Sequence, residues 1–161
     1  DDAPLMFTGI HILEPEVFNY IPQNQFSDII SVFYRPAIAE GKPIVAHVAE
    51  GMWFELSTIP RYLDITLAVL NGENNGLSIG EKVQIAPTAE VRNSIIWDNV
   101  TIEADAKLNR AILADNVWIK AGEIKENVAI VPAALVGDLE TPEKALKGYF
   151  EGENYVVPLN Q

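Results

Sequence analysis

From Ile85 onward the sequence repeats itself. One unit reads IAPTAEVRNSIIWDNVT from Ile85, the next IEADAKLNRAILADNVW from Ile102, and the third IKAGEIKENVAIVPAAL from Ile119, with one residue fewer before its second strand. Aliphatic residues fall at Ile85, Val91, Ile96, Ile102, Leu108, Leu113, Ile119, Ile124 and Ile130, in steps of five or six, and three steps make one unit. Four residues after each lies Ala89, Ile95, Val100, Ala106, Ile112, Val117, Glu123, Val128 or Ala134, all apolar except Glu123. A helix repeats at about 3.6 residues and a flat strand at about 2, so neither produces this spacing. A triangular β-solenoid does: each side is a short strand, each corner a turn, and the coils stack at the ~4.8 Å distance between paired strands. The nine aliphatic residues are expected to point inward and the small residues at the fourth place to fit the corners. Asn93, Asn99, Asn109, Asn116 and Asn127 sit where corner turns need polar side chains or left-handed backbone. Trp97 and Trp118 read as equivalent places near the corners and are expected on one outer face.

This is the hexapeptide-repeat pattern, and it resembles left-handed β-helix proteins. The left hand is implied by that resemblance alone, since general chirality rules favour the right. The expected β-helix runs over 80–136, with 137–161 a C-terminal tail. Acyltransferases resembling this solenoid use a histidine base on the coils or their loops, but the two histidines here, His11 and His47, both precede the repeat. The zinc branch of such solenoids needs three histidine ligands, which two cannot supply. Glu103, Asp105, Asp115 and Glu126 read as a solvated outer face.

Ahead of the repeat, Asn71-Gly72-Glu73-Asn74-Asn75-Gly76 breaks any regular element and marks a domain junction. Residues 1–72 read as mixed α/β. Leu5 to Leu13 and Lys42 to Ala49 have the composition of strands. Pro15 opens a helical turn over Glu16 to Tyr20. Ser27 or Asp28 caps a helix that reaches Glu40, is kinked or split at Pro36 and ends at Gly41. Thr58 caps a further helix, Arg61 to Leu70, with Ile65, Val69 and Leu70 facing the core and Leu63 nearby.

Three motifs in this half, in this order, carry a second resemblance. Phe7-Thr8-Gly9-Ile10-His11 is followed by Glu50-Gly51-Met52-Trp53-Phe54-Glu55-Leu56-Ser57-Thr58, and then by Pro60-Arg61-Tyr62-Leu63. Together with the repeat they resemble the C-terminal part of sugar-1-phosphate nucleotidyltransferases, in particular the mannose-1-phosphate guanylyltransferase-like members that end in a hexapeptide β-helix. The resemblance implies an α/β fragment of a nucleotidyltransferase domain followed by the left-handed parallel β-helix. It implies a parent reaction of nucleoside triphosphate with sugar 1-phosphate, giving nucleotide sugar and pyrophosphate with Mg²⁺. It places Thr8 and Gly9 at the sugar pocket, Asp28 at the substrate, and Glu55 at the metal, where the family has Asp. Gly9 also reads as a close-approach glycine, Asp28 as a helix cap, and Glu55 as a solvated or capping carboxylate. With Phe54 in the core, strand alternation turns Glu55 toward the cleft lined by Thr8 and Gly9. Ser57 replaces a family glycine, and the family's Gly-rich triphosphate loop, with its Arg and Lys, has no counterpart in the sequence. The chain is therefore expected to be inactive alone. The alternative is a regulatory or oligomerisation subunit built on a degenerate transferase.

Charge and composition narrow the partners. The 161 residues carry 23 acids against 11 bases, a net −12. Such a chain repels phosphate backbones and anionic lipid, which argues against nucleic-acid or membrane-surface binding. Without cysteine, disulfide scaffolds, thiolate metal sites and a Cys nucleophile are excluded. No apolar run reaches the ~20 residues of a membrane span and no signal-peptide pattern opens the chain, so a cytoplasmic protein is expected. The first residue is Asp1, as in a processed or truncated piece. A short solenoid exposes strand edges, and a homo-oligomer is the expected state.

Overall fold

The computed structural model describes residues 5–137, 140 and 142–160. The chain forms two units, divided between Trp53 and Phe54.

The second unit is built on a parallel β-solenoid of about three rungs. Its first rung consists of β1 (Leu77–Ile79), β2 (Gln84–Ile85) and β3 (Glu90–Arg92). The second holds β4 (Ser94–Ile96), β5 (Thr101–Ile102) and the start of β6 (Lys107–Leu113). The third holds the rest of β6, then β7 (Trp118–Ile119) and the start of β8 (Ile124–Pro132). Every rung-to-rung pairing is parallel and keeps one constant offset along the sequence: Ile79↔Ile96, Ile85↔Ile102 and Val91↔Leu108, then Ile96↔Leu113, Ile102↔Ile119 and Leu108↔Lys125. Ile96, Ile102, Leu108, Leu113, Ile119 and Ile130 are buried, as the repeat predicts. Each such side chain contributes about 1.5–3 kcal/mol of burial.

The third rung departs from the expected register. Ile124 is 73% exposed, and Lys125 takes the inward place at 7%. The step from Ile119 is therefore six, not five, and no residue is missing from the third unit. Neighbouring strand residues point to opposite faces, so choosing the apolar residue of the pair Ile124–Lys125 selects the wrong face.

The corners use left-handed backbone at matched places in successive rungs. Lys82, Asn99 and Asn116 have positive φ at one corner, Asp105 and Gly122 at the second, and Gly76, Asn93, Arg110 and Asn127 at the third. Asn tolerates this region because its short side chain bonds locally. Asn109 is not among them: Arg110 makes that turn, while Asn109 joins a side-chain ladder from Asn93 Nδ2 (3.1 Å) to Glu126 Oε1 (3.1 Å).

Ile95 and Ile112 are not corner residues. With Ala129 they form an outward apolar stripe on one face, covered by Leu63 of helix α2 (Ile59–Leu70) and by Leu159, with Tyr62, Leu67 and Leu146 alongside. Thr58 Oγ1 caps α2 by accepting from Arg61 N at 3.3 Å. The core face of α2 centres on Leu63, fully buried, whereas Val69 is 64% exposed. The expected inward set Ile65, Val69 and Leu70 is thus displaced, because the helix docks on the solenoid stripe. Arg110 ties the same helix down, donating to Asp64 Oδ1 at 2.7 Å and to Asn127 Oδ1 at 3.3 Å.

The far end of the solenoid is closed by a hairpin of β9 (Tyr149–Glu151) and β10 (Asn154–Pro158). β10 runs antiparallel to β8, with Val156 opposite Ile130 and fully buried in the solenoid core. Asn154 Nδ2 donates to the Trp118 carbonyl at 2.8 Å, capping another edge of the last rung. Of residues 137–161, the expected tail, the described part therefore includes this closure.

In the first unit a 3-10 turn covers Pro15–Tyr20, and a π-helical stretch, Ile30–Tyr34, runs into α1 (Arg35–Ala39) with Pro36 in its first turn. Val17, Phe33 and Ala37 form a small core. Leu5 to Leu13 and Lys42 to Ala49 are not strands: the backbone there is irregular, and Leu5, Phe7, Ile10, Ile12 and Val45 are exposed. A strand exists only by pairing, and among the described residues of this unit no strand is present to pair with. Phe54, expected in the core, is 38% exposed.

Candidate functional site

The sequence directs attention first to Glu55. It precedes the N-terminus of α2, where Arg61 Nη1 donates to Glu55 Oε2 at 2.6 Å and to Ser57 Oγ at 3.2 Å. Both side chains of the ion pair are more than half exposed, so water screens it and its worth lies at about 0–1 kcal/mol. One carboxylate oxygen of Glu55 is thus committed to Arg61. Among the described residues no group of three His, Asp or Glu is placed to hold a metal ion.

Thr8, Gly9 and Asp28 belong to the first unit. Thr8 Oγ1 accepts from Ile10 N at 3.4 Å, a local turn bond. Gly9 has φ +76°, and a Cβ built there would meet nothing within 4 Å, so its conformation rather than close packing favours glycine. Asp28 accepts from Ile30 N (3.2 Å), Ser31 N (3.0 Å) and Ser31 Oγ (2.7 Å), capping the helical stretch that follows. The Ser31 hydroxyl and then these amides hold its carboxyl below the usual value. No hydrogen bond links Asp28 to Thr8 or Gly9 in the structure.

Two other arrangements escape sequence reading. His11 Nδ1 lies 2.6 Å from the Tyr34 hydroxyl, the two rings stacked and Phe7 edge-on to both. Residues 23 apart give no local signal of such a pair. On the third rung, Lys125 Nζ lies 2.6 Å from Glu151 Oε2 and 3.5 Å from Glu123 Oε2, an atom that is buried without a hydrogen bond. Burial opposes the charge of Lys125, but the hydrogen bond to Glu151 and the charges of Glu123 and Glu151 outweigh it and hold its pKa above the usual value. The signal for this clasp was Glu123, the one acid at a place otherwise held by small residues.

The solenoid surface bears two shallow grooves. One crosses β2 and β5 and reaches Ala121, beside Glu103, whose two oxygens accept from Trp118 Nε1 (3.0 Å) and Ala121 N (2.9 Å). The other lies beside Tyr62, Trp97, Asp98 and Asp115, where each aspartate accepts a backbone N–H one rung up: Glu81 N at 2.7 Å and Asp98 N at 2.9 Å. Trp97 follows β4 while Trp118 lies in β7 opposite Thr101, so the two tryptophans, expected to be equivalent, are not so in the repeat.

Residues 66–130 match the family described as GlmU-like, C-terminal hexapeptide. A UTP–glucose-1-phosphate uridylyltransferase of Synechocystis sp. is 31% identical over 97 residues, 60% of this chain and 25% of that protein. The chain spans about a quarter of the length of this curated relative. With the solenoid, these matches make the chain similar to the C-terminal part of a sugar-1-phosphate nucleotidyltransferase that carries hexapeptide repeats. No helix among the described residues is long and apolar enough to cross a membrane.

Proposed function

We propose that the chain serves as the C-terminal part of a sugar-1-phosphate nucleotidyltransferase, with the solenoid in its left-handed form. In the parent reaction an oxygen of the sugar phosphate attacks the α-phosphorus of a nucleoside triphosphate. A new P–O bond forms, the α–β bridge breaks, and pyrophosphate leaves. Mg²⁺, when bound, neutralises the charge that builds on the phosphates. Thr8 would offer a hydroxyl to the sugar beside the unobstructed backbone at Gly9, Asp28 would contact substrate through the second lone pair of Oδ1, which accepts a single cap bond, and Glu55 would give Mg²⁺ its free oxygen. Mg²⁺ takes one or two carboxylates beside substrate phosphates, so one such oxygen suffices.

The observation that carries this reading is the match to a uridylyltransferase combined with a hexapeptide-type solenoid that follows the three transferase-like motifs. The exposed apolar side chains Leu5, Phe7, Ile10 and Ile12 also favour it, since they are the kind of surface a further sheet covers. The chain holds three bases in its first 80 residues, too few to cradle a triphosphate, and is expected to release no pyrophosphate alone.

In the full-length parent, Glu55→Gln is expected to cut turnover about 100-fold or more, with the circular-dichroism spectrum unchanged. Normal turnover would remove Glu55 from the metal site. It would favour the second reading, a regulatory subunit, for which the Glu55–Arg61 bond of 2.6 Å speaks because it occupies one of the two carboxylate oxygens.

A further inference from the structure

One corner of the solenoid holds a residue that suits it poorly. At this corner Asn93, Arg110 and Asn127 follow one another from rung to rung with φ of +47°, +54° and +55°. Asparagine enters the left-handed region readily because its short side chain bonds locally, whereas an arginine is strained there. The corner is pinned all the same. Ala111 N donates to Ser94 Oγ at 3.1 Å, and Ser94, fully buried, donates to the Arg92 carbonyl at 2.6 Å. The Arg110 side chain leaves the solenoid for α2, donating through Nε to Asn127 Oδ1 (3.3 Å) and through Nη2 to Asp64 Oδ1 (2.7 Å). The side chains of Arg110 and Asp64 are 38% and 58% exposed, so water screens the pair and it adds little stability to set against the strain.

We infer that Arg110 is a positioning residue, which fixes the turn of α2 about its own axis and thereby the aim of Arg61 and Glu55 at the start of that helix. The inference rests on the reading of Glu55 as a metal ligand in the parent enzyme. Leu63 holds α2 on the apolar stripe of Ile95, Ile112 and Ala129, but an apolar contact has no direction. A charge-assisted hydrogen bond has one. Arg61 and Asp64 lie three residues apart, on one side of the helix. A rotation that breaks the Asp64 contact therefore carries Arg61 with it, and Arg61 is the residue that donates to Glu55 at 2.6 Å. The strain and the bond act on different equilibria. Relief of the strain favours the solenoid whether or not α2 is docked, while loss of the bond weakens docking alone. Asparagine at 110 is thus expected to separate stability from positioning, which a residue kept for stability alone would not do.

The first test uses the 161-residue chain. The urea midpoint of Arg110→Asn is expected not to fall, while amide exchange in Ile59–Leu70 speeds about two- to fivefold. Asp64→Asn is expected to speed the same amides as much, with a midpoint below that of Arg110→Asn because the strain stays. The Arg61 Nε–Hε resonance is expected to shift in both. In the full-length parent each variant is expected to lower kcat about tenfold with KM for the sugar 1-phosphate nearly unchanged, and the double variant to be no worse than either single. A midpoint lowered by Arg110→Asn overturns the inference. So do α2 amides that exchange at an unaltered rate, an unaltered kcat, or kcat losses that multiply in the double variant. Exchange and midpoint involve no metal, so a failure of the transferase reading shows separately, as normal turnover in Glu55→Gln beside an α2 that still loosens in Arg110→Asn. Should Arg110→Asn not fold, Asp64→Asn decides by the same exchange and kcat.

Discussion

Replacing Lys125 by leucine tests whether the third rung is held by charge or by its apolar column. The Lys125 side chain is 8% exposed, against 24% for Glu123 and 45% for Glu151. Removing one partner of a buried ion pair costs about 3–5 kcal/mol. Glu151 is near enough to water to be rehydrated, which brings the cost below that range, to about 2–3 kcal/mol. Leucine recovers about 1 kcal/mol by packing under Leu108, because the lysine stem was already buried. Lys125→Leu is thus expected to destabilise by about 1–2 kcal/mol. The pair Glu123→Ala with Lys125→Leu recreates Ala106 and Leu108 of the rung above. With no buried acid left behind, it is expected to be neutral or more stable by about 1–4 kcal/mol. Urea unfolding followed through Trp97 and Trp118 reads the difference, and the single variant should lose about 1 M in midpoint. A midpoint raised by Lys125→Leu alone, or a double variant weaker than the single, would refute the argument.

Gly80→Ala should cost about 1–3 kcal/mol, because its Cβ would meet Asp98 Oδ1 head-on and the Trp97 carbonyl carbon at 2.8 Å; thermal unfolding checks it. Leu63→Ala, at the centre of the α2 contact, should cost about 2–5 kcal/mol and speed amide exchange in Ile59–Leu70. The Asp28 carboxyl is held below its usual 3.8, so its capping contribution is complete above pH 3.8 and is lost as the pH falls toward the lowered value. An acid titration by circular dichroism should show helix loss in this range, and Asp28→Ala should remove that step.

The solenoid was legible because its signal is geometric. Ile96, Ile102, Leu108, Leu113, Ile119 and Ile130 occupy one column at a spacing that other regular structures do not share. The one fault in that column, Ile124 for Lys125, arose because a buried charge carries no hydrophobic signature; what makes Lys125 fit is Glu151, 26 residues away. Ile95 and Ile112 were recognised as apolar, but their cover by Leu63 and Leu159 is a matter of docking, not of period. The strand compositions at 5–13 and 42–49 report side chains that suit a pleated, half-buried surface, not whether a partner strand stands beside them. At the candidate site the motifs pointed to Glu55, and the structure adds Arg61 as its neighbour, six residues on across the start of α2. Thr58, expected as a cap, is one, because capping is decided within a single turn.

The constant offset between rungs, which carries Val91 to Leu108 and Leu108 to Lys125, makes the length of this solenoid a whole number. A duplication or loss of one full coil between Ile85 and Ile119 leaves each later side chain on its own face and each Asn at its corner. A change one residue short of a coil turns the whole remainder inside out. Evolution can therefore lengthen or shorten such a stalk only in complete coils, as beads are added to a string. The bead bearing Glu123 and Lys125 always stays last, since it alone fits the clasp that ends the row.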